Sequence, residues 1–259
     1  MTELPVTAIP TWAFPILFVT GLVAGFVDSI AGGGGLITLP VFFSFGIPPQ
    51  FALGTNKLQA AFGSGGAAWH YSKSGIVKLS DCGLGIGFTL VGAVAGTLTV
   101  QRLDPTFLKH FIPIVLLAIA GYMIFRPKLG EQDIHPRMKP LMFYATAGFA
   151  LGFYDGFIGP GVGSFWTMAF MLGLGFNLTR ATGYTKVMNL ASNVASLVFF
   201  MLAGQVFYGA GLAMGAGQLL GARIGSRMVV KRGVKFVRPI FLTMVLALTL
   251  KLLYDAYRR

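Results

Sequence analysis

Apolar stretches of roughly membrane-spanning length recur along the whole chain, and no other feature restricts its fold as strongly. They run Ala13–Ile30, Phe51–Tyr71, Gly83–Val100, Phe111–Phe125, Leu141–Tyr154, Ala181–Ala203, Tyr208–Ile224 and Phe236–Tyr254. Of the 259 residues 55% are hydrophobic and 11% charged, against roughly 25% charged in a soluble domain. Without water in a bilayer core, such segments must satisfy their own backbone as helices or as a closed barrel, and unbroken apolar runs exclude a barrel's alternating pattern. The chain therefore reads as an all-α polytopic membrane protein with about eight transmembrane helices and short extra segments.

One interruption stands out. The stretch GFVDSIAGGGGLITLP, Gly25 to Pro40, sets a carboxylate and four consecutive glycines between two apolar runs. Neither G-x-x-x-x-G-K-[ST] nor a G-x-G-x-x-G in strand-to-helix context is met, so a nucleotide loop is not implied. The same pattern returns as GFYDGFIGPGV, Gly152 to Val162, at an offset of 127 that places Asp28 on Asp155. GTNKLQAAFGS (Gly54–Ser64) then pairs with GYTKVMNLASN (Gly183–Asn193) at an offset of 129, placing Lys57 on Lys186. GAVAG (Gly92–Gly96) matches GQLLG (Gly217–Gly221), and LKHFIP (Leu108–Pro113) matches VKFVRP (Val234–Pro239). Marks in one order along both halves indicate an internal repeat.

Each half reads as a helix, a Gly-rich break, a short piece (Leu36–Phe45; Gly163–Leu174) and three full spans. The broken pair either crosses as separate pieces or folds back as a re-entrant hairpin. Both alternatives give an odd parity, so two inverted repeats are expected, residues 1–126 and 141–259, joined by a cytoplasmic loop at 127–140. With the N-terminus outside, fourteen of the twenty Lys and Arg residues fall on the inside, among them Lys73, Lys78, Lys128 and the group Arg223 to Arg238; the positive-inside rule favours that orientation. The net charge of +12 is thus spread over short loops rather than gathered into a nucleic-acid surface. The N-terminus lacks the basic start and clear cleavage pattern of a secretory signal, which predicts that the first helix is retained.

A backbone that leaves its helix inside a membrane must find partners in the protein or line a polar cavity. The breaks are therefore expected to form a paired cradle in which helix N-termini and exposed amides face an anion, with Gly32, Gly33, Gly34, Gly35, Gly159, Gly161 and Gly163 as its backbone. Tight helix packing is the competing use of the glycines. Asp28 and Asp155 suit either proton carriage or capping of the broken helices. Lys57 and Lys186 suit either an oxyanion site or an interfacial position from which they snorkel to headgroups. Asn56, Gln59, Thr185, Asn189 and Asn193 supply amides and a hydroxyl beside them; these either line a pathway or bond helix to helix.

At these residues the chain resembles the sulfite exporter TauE/SafE family, the 4-toluene sulfonate uptake permeases. GFVDSIAGGGGLITLP with GTNKLQAAFGS in the first half, and GFYDGFIGPGVGSFW with ATGYTKVMNLASN in the second, carry the resemblance. It implies a bacterial inner-membrane transporter of sulfite, sulfonates or related small anions. Pro160 replaces a glycine of the first-half pattern, so the two cradles need not contribute equally.

The leading expectation is a secondary carrier of a small anion, driven by protons or the membrane potential and working by alternating access. An anion channel is the nearest alternative. A membrane-embedded enzyme is disfavoured because no nucleophile–base set or metal cluster is legible: Cys82 is the single cysteine, and His70, His110 and His135 have no ligand spacing. No metal or cofactor is expected.

Overall fold

The computed structural model describes residues 9–124, 133 and 135–232. The predicted span Phe236–Tyr254, half of the 127–140 loop and the second copy of the last repeat mark lie outside the described residues. So do Arg126, Lys128, Lys235, Arg238, Lys251, Arg258 and Arg259.

The described residues form helices and no strand. In chain order they are α1 (Ala13–Ala31), α2 (Gly34–Ser44), α3 (Pro49–Lys73), α4 (Gly83–Gln101), α5 (Pro105–Ile124), α6 (Pro140–Phe143), α7 (Phe149–Phe157), α8 (Val162–Gly173), α9 (Leu178–Leu202) and α10 (Tyr208–Arg232). A 3-10 turn at Leu79–Cys82 leads into α4, and a π turn at Tyr144–Gly148 joins α6 to α7. Every predicted span within the described residues falls on a helix. Among the described residues three stretches, Ala13–Ala31, Leu79–Gln101 and Leu178–Leu202, are long and apolar enough to cross a membrane.

Local chemistry sets the starts. Pro49 begins α3, where a missing N–H costs nothing. Asn177 caps α9 by accepting from the Arg180 N–H at 2.9 Å. Asp104 accepts from the Thr106 N–H at 2.6 Å and caps α5; that backbone hydrogen bond holds its carboxyl below the usual carboxylate range.

The Gly-rich breaks are fold-backs. α1 ends at Gly32, whose φ of 76° is left-handed, and α2 returns along α1 until Phe45 lies 5.9 Å from Trp12, ring to ring. The second break behaves alike: the chain reverses through Gly159 and Gly161, both at positive φ, and α8 returns until the Gly173 carbonyl accepts from the Arg137 and Met138 N–H groups. At 11 and 12 residues, α2 and α8 are about 17 Å long, too short to cross a core of about 30 Å.

The two hairpins approach from opposite ends of the bundle. Leu17 and Phe42 of the first belong to one buried apolar cluster, and Phe143 and Phe170 of the second to another. Their tips meet between the clusters: a Cβ on Gly32 would stand 2.4 Å from the Gly163 backbone, and Ser164 Oγ donates to the Ala31 carbonyl. α3 and α9 thread past this meeting point antiparallel. Leu53 and Leu58 near the start of α3 share a cluster with Phe200 near the end of α9, while Tyr71 and Tyr184 share the other.

Glycines lock the first helix of each hairpin to a helix of the other half. α1 packs most extensively on α10 and α7 on α4. At one crossing Gly21 and Gly25 lie on the backbone of Met214 and Gln218, and Gly217 and Gly221 on that of Phe18 and Leu22; at the other Gly92 and Gly96 lie on Phe149 and Phe153, and Gly152 and Gly156 on Thr89 and Ala93. At these positions an added Cβ would fall 1.9–2.5 Å from a backbone oxygen. This is small-xxx-small packing at its closest approach. Tight packing, the competing use of the glycines, thus operates at these crossings as well as at the hairpin tips, where Gly32 and Gly163 meet.

Candidate functional site

α3 and α9 begin near opposite ends of the bundle, so their middles pass the hairpin tips. Lys57, about two turns into α3, is 1% exposed and its ammonium lies 2.6 Å from Asp155 Oδ1 at the end of α7. Lys57 also donates to the Asp155 main-chain carbonyl. Ser192 of α9 donates to the other carboxylate oxygen of Asp155.

The converse contact exists in the other half. Lys186 of α9, 0% exposed, lies 3.0 Å from Asp28 Oδ2 at the end of α1. The remaining Asp28 oxygen accepts from the Gly34 N–H at 3.2 Å. Asp28 therefore caps α2 and pairs with a lysine at once, which favours the capping reading for this residue. The lysine of each half is thus neutralised by the aspartate of the other. Neither lysine occupies the interfacial, snorkelling position; burial of an ammonium at this depth requires such a partner.

Polar side chains extend the same correspondence. Thr38 of α2 lies 2.6 Å from Asn56 Oδ1, and Gln59 donates to that oxygen at 2.7 Å. In the other half Thr167 of α8 lies 3.2 Å from Thr185 of α9. Thr38 and Thr167 each reach back to the carbonyl four residues earlier, Gly34 and Gly163. Asn193 and Ser64, equivalent positions in the two halves, approach to 3.5 Å where α3 and α9 cross.

Between these groups is a cavity of about 30 Å³, room for about two waters. It is bounded by Asp28, Gly32, Gly34, Gly35, Asn56, Ala60, Asp155, Gly159, Gly161, Val162, Asn189, Asn193 and Gln218. The structure thus brings most of the predicted cradle to one place, from both halves. Gly33, Gly163, Gln59 and Thr185 stand behind it. Lys57 and Lys186 are not on its wall and touch it through the carboxylates that do line it. Gln218 of α10, together with Thr38 and Thr167, joins the site without having been a candidate; Gln218 is legible as the one amide inside a glycine-rich apolar span.

Two cavity-lining amides carry a buried oxygen that has no hydrogen-bond partner among the described residues: Asn189 Oδ1 and Gln218 Oε1. Rotation of a terminal amide exchanges its oxygen for an NH2 group, so both can offer donors to an incoming anion. No group of three or more His, Cys, Asp or Glu suited to a metal ion occurs among the described residues.

Comparison with known proteins gives this arrangement a family. The model of the family described as "Sulfite exporter TauE/SafE" matches residues 17–252. The probable membrane transporter protein YfcA of Escherichia coli strain K12 is 45% identical over 242 residues, covering 93% of this chain and 90% of the relative. A probable membrane transporter protein of Haemophilus influenzae is 44% identical over 240 residues, 93% of this chain and 94% of the relative. A more distant relative, the probable membrane transporter protein YunE of Bacillus subtilis, is 26% identical over 271 residues. No solved structure matches the chain significantly. The match along nearly the whole chain, through both Gly-rich hairpins and both lysine-bearing helices, makes it a member of the sulfite exporter TauE/SafE family.

Proposed function

We propose that this chain is a secondary transporter that carries a small anion, either sulfite, a sulfonate or a related organosulfur anion, across the bacterial inner membrane. The anion is held where the two fold-back hairpins meet, and two inverted repeats, each a hairpin followed by three spanning helices, alternate access to it. The observation that carries this reading is the reciprocal pairing of Lys57 with Asp155 and Lys186 with Asp28 beside one small polar cavity. The opposed hairpins, the antiparallel α3 and α9, and the exchanged packing of α1 and α7 support the inverted arrangement. The organosulfur substrate class rests on the description of the family that the chain matches.

The charges explain why such a site would move an anion together with protons. Asp28, Asp155, Lys57 and Lys186 sum to zero, so the resting site offers an entering anion no net attraction. The anion gains an ammonium only by displacing a carboxylate, and a displaced, buried carboxylate is left without its partner, at a cost of several kcal/mol. A proton taken from the aqueous side by the released carboxylate removes that charge, and the site then holds one ammonium against one anion. Departure of the anion and the proton restores the ion pair. A channel would not need this exchange, and the small cavity fits an occluded carrier better than an open pore.

The test is uptake and exchange in proteoliposomes against a panel of sulfite, small sulfonates and carboxylates. Saturable uptake and trans-stimulated exchange of an organosulfur anion are expected. Non-saturating conduction without exchange would assign the protein to the channel class.

A further inference from the structure

The C-terminal end of α3 and the second half of α10 enclose a separate cavity of about 500 Å³. It is divided by chemistry along the helix axes. Gly66, Leu219 and Leu220 form an apolar slot at one end, whereas Lys73, Arg223 and Arg227 gather at the other. Arg223 and Arg227 are one turn apart on α10, an i, i+4 pair of like charges that destabilises a helix by itself. None of these three cations has a carboxylate partner among the described residues. Trp69 lies beneath Lys73, whose ammonium is 5.1 Å from the ring centroid. His70 Nε2 is buried in the same wall and has no hydrogen-bond partner among the described residues.

We propose that this cavity is a binding site for an anionic phospholipid of the surrounding bilayer. The lipid phosphate lies between Lys73, Arg223 and Arg227, and His70 Nε2 is available to the headgroup as donor or acceptor. One acyl chain follows the Gly66–Leu219–Leu220 slot, where the Leu219 side chain lies directly on Gly66 and continues the apolar surface. The charge and the apolar continuation select a lipid over a soluble anion: three unpaired cations match a phosphodiester, while Leu219 and Leu220, both substantially exposed, match a hydrocarbon tail. A tryptophan beside the cations suits the headgroup boundary, where an amphipathic ring is at home. The site is distinct from the hairpin cavity, since no residue lines both.

The full chain, purified in detergent, is examined by native mass spectrometry with added phosphatidylglycerol or phosphatidylcholine. Wild type is expected to retain phosphatidylglycerol preferentially. The double variant Arg223→Gln/Arg227→Gln should lose about tenfold in that retention. Leu219→Trp, which fills the apolar slot without altering charge, should reduce it as well, whereas Lys78→Gln, a charge removed outside the cavity, should leave it unchanged. Three results would overturn the proposal: no preference for phosphatidylglycerol, an equal loss from Lys78→Gln through diffuse surface charge, or displacement of the lipid by millimolar glycerol 3-phosphate, which would mark a soluble-anion site.

Discussion

The ammonium of Lys57 lies 2.6 Å from the carboxylate of Asp155, a residue 98 positions further along the chain and in the opposite half of the molecule. With the converse contact of Lys186 and Asp28, the buried charges hold the two halves together beside the cavity between the hairpin tips. Removing one partner alone strands the other. Lys57→Gln is expected to lower stability by about 3–5 kcal/mol, because the Asp155 carboxylate is left buried and unpaired. Lys57→Gln/Asp155→Asn should recover much of that loss. Denaturant unfolding of wild type, both single variants and the double variant measures the coupling; strictly additive effects would contradict a functioning ion pair.

The glycines divide into two kinds, and substitutions should separate them. A Cβ on Gly92 would stand 2.3 Å from the Phe149 carbonyl oxygen at the α4–α7 crossing. Gly92→Ala is therefore expected to cost about 1–3 kcal/mol of stability with transport per folded molecule near that of wild type. Gly34 lies at the hairpin tip, its Cβ position 3.0 Å from the Asp28 Cβ. Gly34→Leu should push Asp28 from its place at the start of α2 and fill the cavity, abolishing transport in protein that still folds. Transport normalised to the monodisperse fraction in size-exclusion chromatography checks both.

Asn189 is the side chain best placed to meet a ligand, lining the cavity with an amide whose oxygen is unpartnered among the described residues. A hydrogen bond to a charged group is worth about 1.5–3 kcal/mol. Asn189→Ala should thus weaken anion affinity roughly ten- to a hundredfold, read by isothermal titration, with little change in thermal midpoint. A purely structural amide would show the reverse pattern.

The inverted arrangement makes a geometric claim about α10, which runs from Tyr208 to Arg232. In a background of Cys82→Ala, an impermeant thiol reagent applied to intact cells is expected to modify Gln205→Cys and not Lys231→Cys. Modification of position 231 from outside would reverse the orientation.

What the sequence revealed and what it hid have separate physical causes. Helix positions were legible because a bilayer leaves an apolar run few choices, and α1, α3, α4 and α9 fall on the apolar runs that predicted them. The hairpins were legible as breaks, since four glycines cannot sustain a helix, but whether they crossed or folded back depended on α2 and α8 being too short to span. The ion pairs were not legible. Their partners are 98 and 158 positions apart, and nothing local to Lys57 distinguishes a buried cation from one that snorkels, because its helix begins eight residues earlier at Pro49, within an apolar stretch. Thr38 and Thr167 were concealed inside apolar half-helices, and Gln218 inside GQLLG, where the glycines drew attention to packing.

The central claim is that the buried carboxylates exchange a proton for the anion, and one measurement addresses it directly. A small sulfonate such as methanesulfonate stays ionised throughout the accessible pH range, so any proton that accompanies it must travel on the protein. Proteoliposomes with an imposed pH gradient, acidic on the outside, are given methanesulfonate at zero membrane potential. Wild type is expected to accumulate it above equilibrium, while Asp155→Asn should still exchange internal for external sulfonate and fail to concentrate it. Gradient-driven accumulation by Asp155→Asn equal to that of wild type would contradict proton exchange at this ion pair.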